Sequence, residues 1–376
     1  MSSGRPWDAG VGFLRFAIYL RSKILLYKIT PVNSMRPVEP PTSRSMPESV
    51  PRKRGPIIAL LLLAPIISEV IYGATRLSTI FVLIPEILTW GCGALLIREC
   101  VRRWRKGWPS MLLMGLALAV AEEWVIQQTS IAPLVGLAKH TYGRLWGVNL
   151  VYFLWALGYE SVWVVLIPVE LTELLFPQQR HESWLRTRGM VIATVAFLIG
   201  AYAAWYGWTR RARVMIFHMP PYSPPPAYIL GALVAIVGLL LAARFAPVPR
   251  PKAISTPSDW TVGATISLLG FPWAAFVLFG YGSFSRVPYQ WALVVGAVWA
   301  LSTLLLMLRW TSAHGWGVRQ RYAVVFGGVV ACSLGGFILF RVGGALRIDW
   351  IGKIVLDVIA LLWLPFVRRR VLLTGN

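Results

Sequence analysis

Two adjacent glutamates, Glu122 and Glu123, stand in the stretch AVAEEWVIQQTS (119–130), with Gln127 one helical turn beyond Glu123. Paired carboxyl groups can serve acid–base catalysis, cation binding or proton transfer. The apolar run before them, MLLMGLALAVA, covers only about half a bilayer at ~1.5 Å per residue. A helix that stopped there would not cross, so the pair belongs at membrane depth. A carboxylate near the centre of a membrane helix costs roughly 2.5–3.5 kcal/mol on insertion scales. Two together need a reason.

The other acids are unevenly placed. Of fifteen, Glu69, Glu86, Glu99, Glu122, Glu123, Glu160, Glu170 and Glu173 fall in the first four apolar runs. Helical rise puts Glu122 and Glu123 about 20 Å from one membrane edge, and Glu69 at a similar height. Glu86 lies roughly 10 Å below the opposite edge, so three runs share one acidic layer. Glu160, in LWALGYESVWVV, is expected deeper, toward the midplane. Glu123, Gln127 and Ser130 follow i, i+4, i+7 and predict one polar stripe. Glu122 shares a face with Gly115, Leu118 and Ala119, where small residues admit a close helix neighbour. Asn149 precedes Glu160 by about three turns and is expected on nearly its face. Pro65 and Pro85 sit just before Glu69 and Glu86, and proline frees backbone carbonyls at membrane depth.

These spacings select Glu122, Glu123 and Glu160 as the candidate catalytic groups. Glu69, Glu86, Gln127 and Asn149 are the candidates for holding a substrate or ion. Bland readings fit the rest. Glu99, in IRECVRRWRKGW, should pair with nearby arginines, and Glu170 and Glu173 should be interfacial. Lys353 and Asp357, one turn apart, should neutralise each other.

Elements able to position such groups follow from composition. Of 376 residues, 57% are hydrophobic and only 14% charged, against about 45–50% and about 25% in soluble chains. Lipid must cover the excess. Ten apolar runs meet the ~20-residue requirement for a span. They lie near 56–75, 79–100, 108–131, 146–175, 189–208, 226–246, 260–282, 288–308, 322–341 and 348–367, the fourth expected to tilt or break at Pro168. The expected fold is all-α, a polytopic transmembrane bundle of about ten spans. Residues 56–176 would form a four-helix core with the glutamates, and residues 177–376 six further spans. Within 1–55, VGFLRFAIYLRSKILLYKI (11–29) reads as a cationic amphipathic helix on the membrane surface. A Pro- and Ser-rich segment follows, expected to be disordered. No cleavable signal peptide is evident, and Met35 and Met46 are alternative starts to Met1.

The net charge of +22 does not point to nucleic acid. Lys and Arg cluster between apolar runs, as the positive-inside rule expects, and no nucleic-acid module is present. Their bias, about two to one, predicts a multi-pass protein of the cell membrane with both termini cytoplasmic. Cys92, Cys100 and Cys332 lie in or beside apolar runs without metal or disulfide spacing. They read as inert thiols.

The diglutamate of EEWVIQ resembles the EExxxR motif of the CPBP family, the CAAX proteases and bacteriocin-processing enzymes, with Gln127 where that motif has arginine. The resemblance implies an intramembrane hydrolase in which Glu122 or Glu123 activates water on a membrane protein or peptide, with Glu160 as acid or co-ligand. The family's histidine motifs have no counterpart, because His140, His181, His218 and His314 fall between spans. Residues 64–176 also look like uncharacterised bacterial polytopic proteins, through APIISE, GCGALLIRE, RKGWP, YGRLWGVN and PVELTELLFP. Three classes stay open: a CPBP-like hydrolase, a proton- or cation-coupled transporter, and a non-catalytic scaffold held by protonated glutamates. The cofactor, if any, and the use of a metal stay open too. Membrane lipids are the one expected partner common to all three.

Overall fold

The computed structural model describes residues 54–133, 141–249 and 251–374. The amphipathic and Pro-rich expectations for 1–55 thus lie almost wholly outside the described residues. Within them are ten helices long and apolar enough to cross a membrane. They are α1 (Arg54–Ile71), α2 (Leu77–Arg103), α3 (Trp108–Ile126), α4 (Leu150–Leu175) and α5 (Thr187–Met215). After these come α6 (Pro226–Phe245), α7 (Asp259–Gly280), α8 (Tyr289–Thr311), α9 (Val318–Val342) and α10 (Arg347–Leu373). Strands are confined to two short pairs, β1 (Arg144–Leu145) with β2 (Val148–Asn149), and β3 (Lys252–Ser255) with β4 (Ala313–His314). The chain is an integral, multi-pass, all-α membrane protein.

Hydrogen bonds between span ends show the helices alternating in direction. At one rim Lys106 Nζ donates to the Ala246 carbonyl (2.8 Å), Trp108 Nε1 to Thr311 Oγ1 (3.1 Å) and Arg368 Nη2 to Asp259 Oδ2 (3.0 Å). At the other, Arg76 reaches the Gly343 carbonyl (3.0 Å), Asn149 the Gly280 carbonyl (2.8 Å) and Tyr228 the Trp146 carbonyl (2.6 Å).

Burial differs widely between the spans, and one span of the second half is buried as deeply as any of the first four. α3, α4 and α9 are each 61% buried over their most apolar window, whereas α6 and α8 are 11% buried. α9 and α7 therefore belong to the interior. Tyr72, Trp155, Tyr159 and Trp163 of the first half pack there against Trp273, Val325 and Val329 of the second. α5, α6, α8 and α10 present rows such as Val191, Ile192 and Leu198, or Leu230, Val234 and Leu241, to the surroundings. Such rows are stable only against lipid.

The rim that carries most cations is closed by a buried clasp. Arg98 is fully buried and donates to Glu99 (2.7 Å), Glu173 (3.2 Å) and the carbonyls of Gln179, Arg180 and Glu182. Glu99 in turn accepts from the backbone N–H groups of Trp184 (2.9 Å) and Leu185 (3.0 Å). Arg102, Arg180 and Arg321 also converge on Glu173. Glu99 pairs with arginine as expected. Glu173 does not lie at an exposed interface; it is 1% exposed, because four guanidinium groups surround it. Glu170, 26% exposed at its side chain, pairs with Arg321. Next to the clasp, His181 is held below the usual histidine range, first by desolvation and then by the charges of Arg180 and Arg102.

Candidate functional site

Four membrane helices change pitch where their glutamates lie. Wide π turns occupy Ile66–Ile71, Ile87–Gly91, Glu122–Ile126 and Glu160–Leu166. Glu69 is inside the first, Glu86 directly precedes the second, and Glu122 and Glu160 open the third and fourth. Three of these turns adjoin Pro65, Pro85 or Pro168. Proline supplies no N–H, so a carbonyl one turn earlier is released and the hydrogen-bond ladder can widen. The break expected at Pro168 is thus a π turn ending at Leu166, inside one continuous span. The extra residue in each turn rotates the side chains that follow. Such bulges recur at functional sites.

The five carboxyl groups converge. Glu160 lies between Glu122 and Glu123, in hydrogen-bonding contact with both, and Glu69 is near Glu86 and Glu122. Ser130 Oγ donates to Glu123 (2.6 Å), and Thr75 Oγ1 donates to Glu86. One oxygen of Glu160 and one of Glu86 find no N–H or O–H donor. The Trp90 indole N–H faces Glu122 without closing a hydrogen bond of ordinary geometry. Tyr152 and Tyr281 flank Glu123. Glu86, Glu122, Glu123 and Glu160 are 3–6% exposed. Glu69 is more open than these four.

Close packing brings α3 and α4 together. A Cβ added at Gly115 would lie 3.0 Å from Ser161 Cα and Cβ, next to Glu160. The small-residue face expected for Glu122 therefore does admit its neighbour. Gly115→Leu should push α3 from α4 and separate the diglutamate from Glu160. Double electron–electron resonance between spin labels on α3 and α4 should show a longer distance, while an unchanged distance would count against this packing. A second close approach, a Cβ at Gly91 within 2.4 Å of the Leu61 carbonyl oxygen, holds the helix of Glu86 to that of Glu69.

Three expectations need correction. Glu160 is not in a deeper layer but beside the diglutamate, because α4 starts at Leu150 rather than near 146. Asn149 is not within the fourth span, which begins at Leu150. It is the N-cap of α4, accepting from the Tyr152 N–H (3.0 Å) and donating to the Gly280 carbonyl (2.8 Å). The helical stripe of Glu123, Gln127 and Ser130 does not form. α3 ends at Ile126, Gln128 turns the chain at φ +60°, and Ser130 returns to Glu123 from the loop. Gln127 is half-buried, and its side chain makes no hydrogen bond among the described residues. Thr75, Trp90 and Tyr281 were not foreseen. Trp90, four residues after Glu86, had a spacing signal; Thr75 and Tyr281 lie in turns and had none.

Elsewhere Lys353 and Asp357 form the expected pair, with Ser333 Oγ donating to Asp357 (2.8 Å). Among the described residues, no three His, Cys, Asp or Glu side chains are arranged to hold a metal ion. No ion pair joins any of the five clustered glutamates to a Lys, Arg or His among the described residues. No family model, curated protein or solved structure matches the chain.

Proposed function

We propose that the protein binds and moves a proton or small cation through its glutamate cluster, as the coupling site of a membrane transporter. The observation that supports this reading is the meeting of five carboxyl groups from four helices without a cationic partner among the described residues. A buried carboxylate with no counter-charge is unfavourable by several kcal/mol. Charge in the cluster must be cancelled by protons or by a bound cation. Either is exchangeable. The rim rich in Arg98, Arg102, Arg103, Arg105 and Lys106 faces the cytoplasm of the cell membrane in this reading, with both termini on that side.

A second reading, a CPBP-like intramembrane hydrolase acting on a membrane protein or peptide, is favoured by one observation. The diglutamate is joined by a third carboxyl group, Glu160, so that an acid and a base stand side by side. It lacks a histidine on any span among the described residues: His181 and His218 lie in loops and His314 in β4.

Proteoliposomes carrying a luminal pH dye test the proposal. An imposed membrane potential should drive proton or sodium-linked pH change at least tenfold faster than in empty liposomes. Glu160→Gln should return it to the empty-liposome rate. Equal rates with and without protein would overturn the transport reading. Cleavage of a membrane peptide that is lost in Glu123→Gln would replace it by the hydrolase.

A further inference from the structure

Beside the turn that follows the diglutamate helix, a groove of about 490 Å³ opens between α5 and α6. Its lining includes Gln128, Trp205, Arg210, Ile229, Leu230 and Leu233. Leu230 and Leu233 are 64% and 49% exposed, so its wall is continuous with the lipid-facing surface.

Gln128 is built into the inner end. It is 4% exposed and in the left-handed region at φ +60°. Its N–H donates to the Glu122 carbonyl (3.2 Å), and its carbonyl accepts from Ala132 (2.8 Å). Its side-chain Nε2 donates to the Val125 carbonyl (3.2 Å), whereas its Oε1 has no partner among the described residues. An amide oxygen left unpaired at such burial costs about 1–3 kcal/mol, so it calls for a donor. At the mouth, Arg210 bonds Ser223 Oγ (3.0 Å) and lies over the Trp205 ring at 5.2 Å, with no carboxylate partner among the described residues. No acidic residue occurs between Glu182 and Asp259, so nothing on α5 or α6 neutralises Arg210, Arg211 and Arg213.

We infer that this groove holds an anionic glycerophospholipid, its phosphate on Arg210, a headgroup hydroxyl donating to Gln128 Oε1, and an acyl chain along Ile229, Leu230 and Leu233. The charge calls for an anion and the apolar wall for a chain. The acceptor-only Oε1 calls for a donor that a choline headgroup lacks. Because the Gln128 N–H also bonds the Glu122 carbonyl, beside the Gln127 N–H that closes the π turn, the lipid braces the end of the diglutamate helix. This holds whatever the carboxyl cluster carries.

Native mass spectrometry of the full chain, released from nanodiscs of mixed phosphatidylglycerol, phosphatidylethanolamine and phosphatidylcholine, reads the retained lipid. One phosphatidylglycerol per protein is expected, at least tenfold over phosphatidylcholine. Arg210→Gln should abolish that retention, and Gln128→Leu should lower the preference. Leu233→Trp, on the exposed wall, fills the groove and should release the lipid even where Gln128→Leu reduces the yield of folded protein. Equal retention of phosphatidylcholine by the wild type would overturn the inference. So would phosphatidylglycerol retention unchanged in both Arg210→Gln and Leu233→Trp, or selective retention of phosphatidylethanolamine.

Discussion

Arg98→Met is expected to destabilise the protein by about 3–5 kcal/mol, the cost of leaving a buried charge without its partner. Arg98 is fully buried, and its guanidinium serves two carboxylates and three backbone carbonyls at once. Methionine fills much of the volume but satisfies none of these acceptors. Glu99 would keep its two backbone donors and the Gln179 carbonyl its bond from Trp184 Nε1 (2.9 Å), while the carbonyls of Arg180 and Glu182 would lose theirs. Unfolding should therefore begin in the loop between α4 and α5. Hydrogen exchange in this variant should show residues 177–186 losing protection first, with a lower midpoint in detergent denaturation. A midpoint within the error of the wild type would mean that the clasp contributes nothing.

Lys353→Met should be comparably damaging, again by about 3–5 kcal/mol. It leaves Asp357, 3% exposed, with Ser333 as its remaining side-chain donor. The double variant Lys353→Met/Asp357→Leu should recover most of that loss, because replacing both members of a buried pair by apolar groups is often nearly neutral. A double-mutant cycle on thermal midpoints measures this directly. Absence of recovery would mean that the damage comes from packing, since Lys353 also lies over the Phe337 ring at 4.5 Å.

These two sites set a contrast with the glutamate cluster. Arg98 and Lys353 are buried charges with partners, and removing one partner strands the other. The clustered glutamates have no cation to strand. Glu122→Gln or Glu160→Gln removes a negative charge from a site that already has too many. Such variants should keep the wild-type thermal midpoint or exceed it, while losing proton or cation exchange. A scaffold held by carboxyl hydrogen bonds would behave in the opposite way, losing stability with each replacement.

The spans were legible because lipid imposes its requirement on composition alone. All ten runs return as helices, with ends displaced by a few residues. The placement of Glu122 and Glu123 at membrane depth followed from the same arithmetic, since MLLMGLALAVA is too short to cross. What the sequence concealed was pitch. Counting 1.5 Å per residue assumes an unbroken α-helix, and each glutamate-bearing span contains a π turn. Pro65, Pro85 and Pro168 hinted at these, but α3 has its π turn without a proline. Glu160 reads as too deep when its helix is begun at 146, four residues before its true start at Leu150. The corrective signal was Asn149 itself, a favoured N-cap just before an apolar run. Ser130 was read at helical spacing because nothing in EEWVIQQTS announces a left-handed residue at Gln128. The arginine clasp was half legible: Glu99 lies among arginines in sequence, whereas Glu173 meets them only after α2, α4 and α9 pack together.

The most direct measurement is infrared difference spectroscopy of the protonated-carboxyl stretching band, on the protein in lipid, during steps of pH and of sodium or potassium concentration. The cluster should gain and lose this band as protons or cations exchange, and the signal should shrink in Glu160→Gln and Glu122→Gln. A band that responds to neither pH nor cation, in a protein whose variants lose stability, would contradict the account and leave the glutamates as dry contacts between helices.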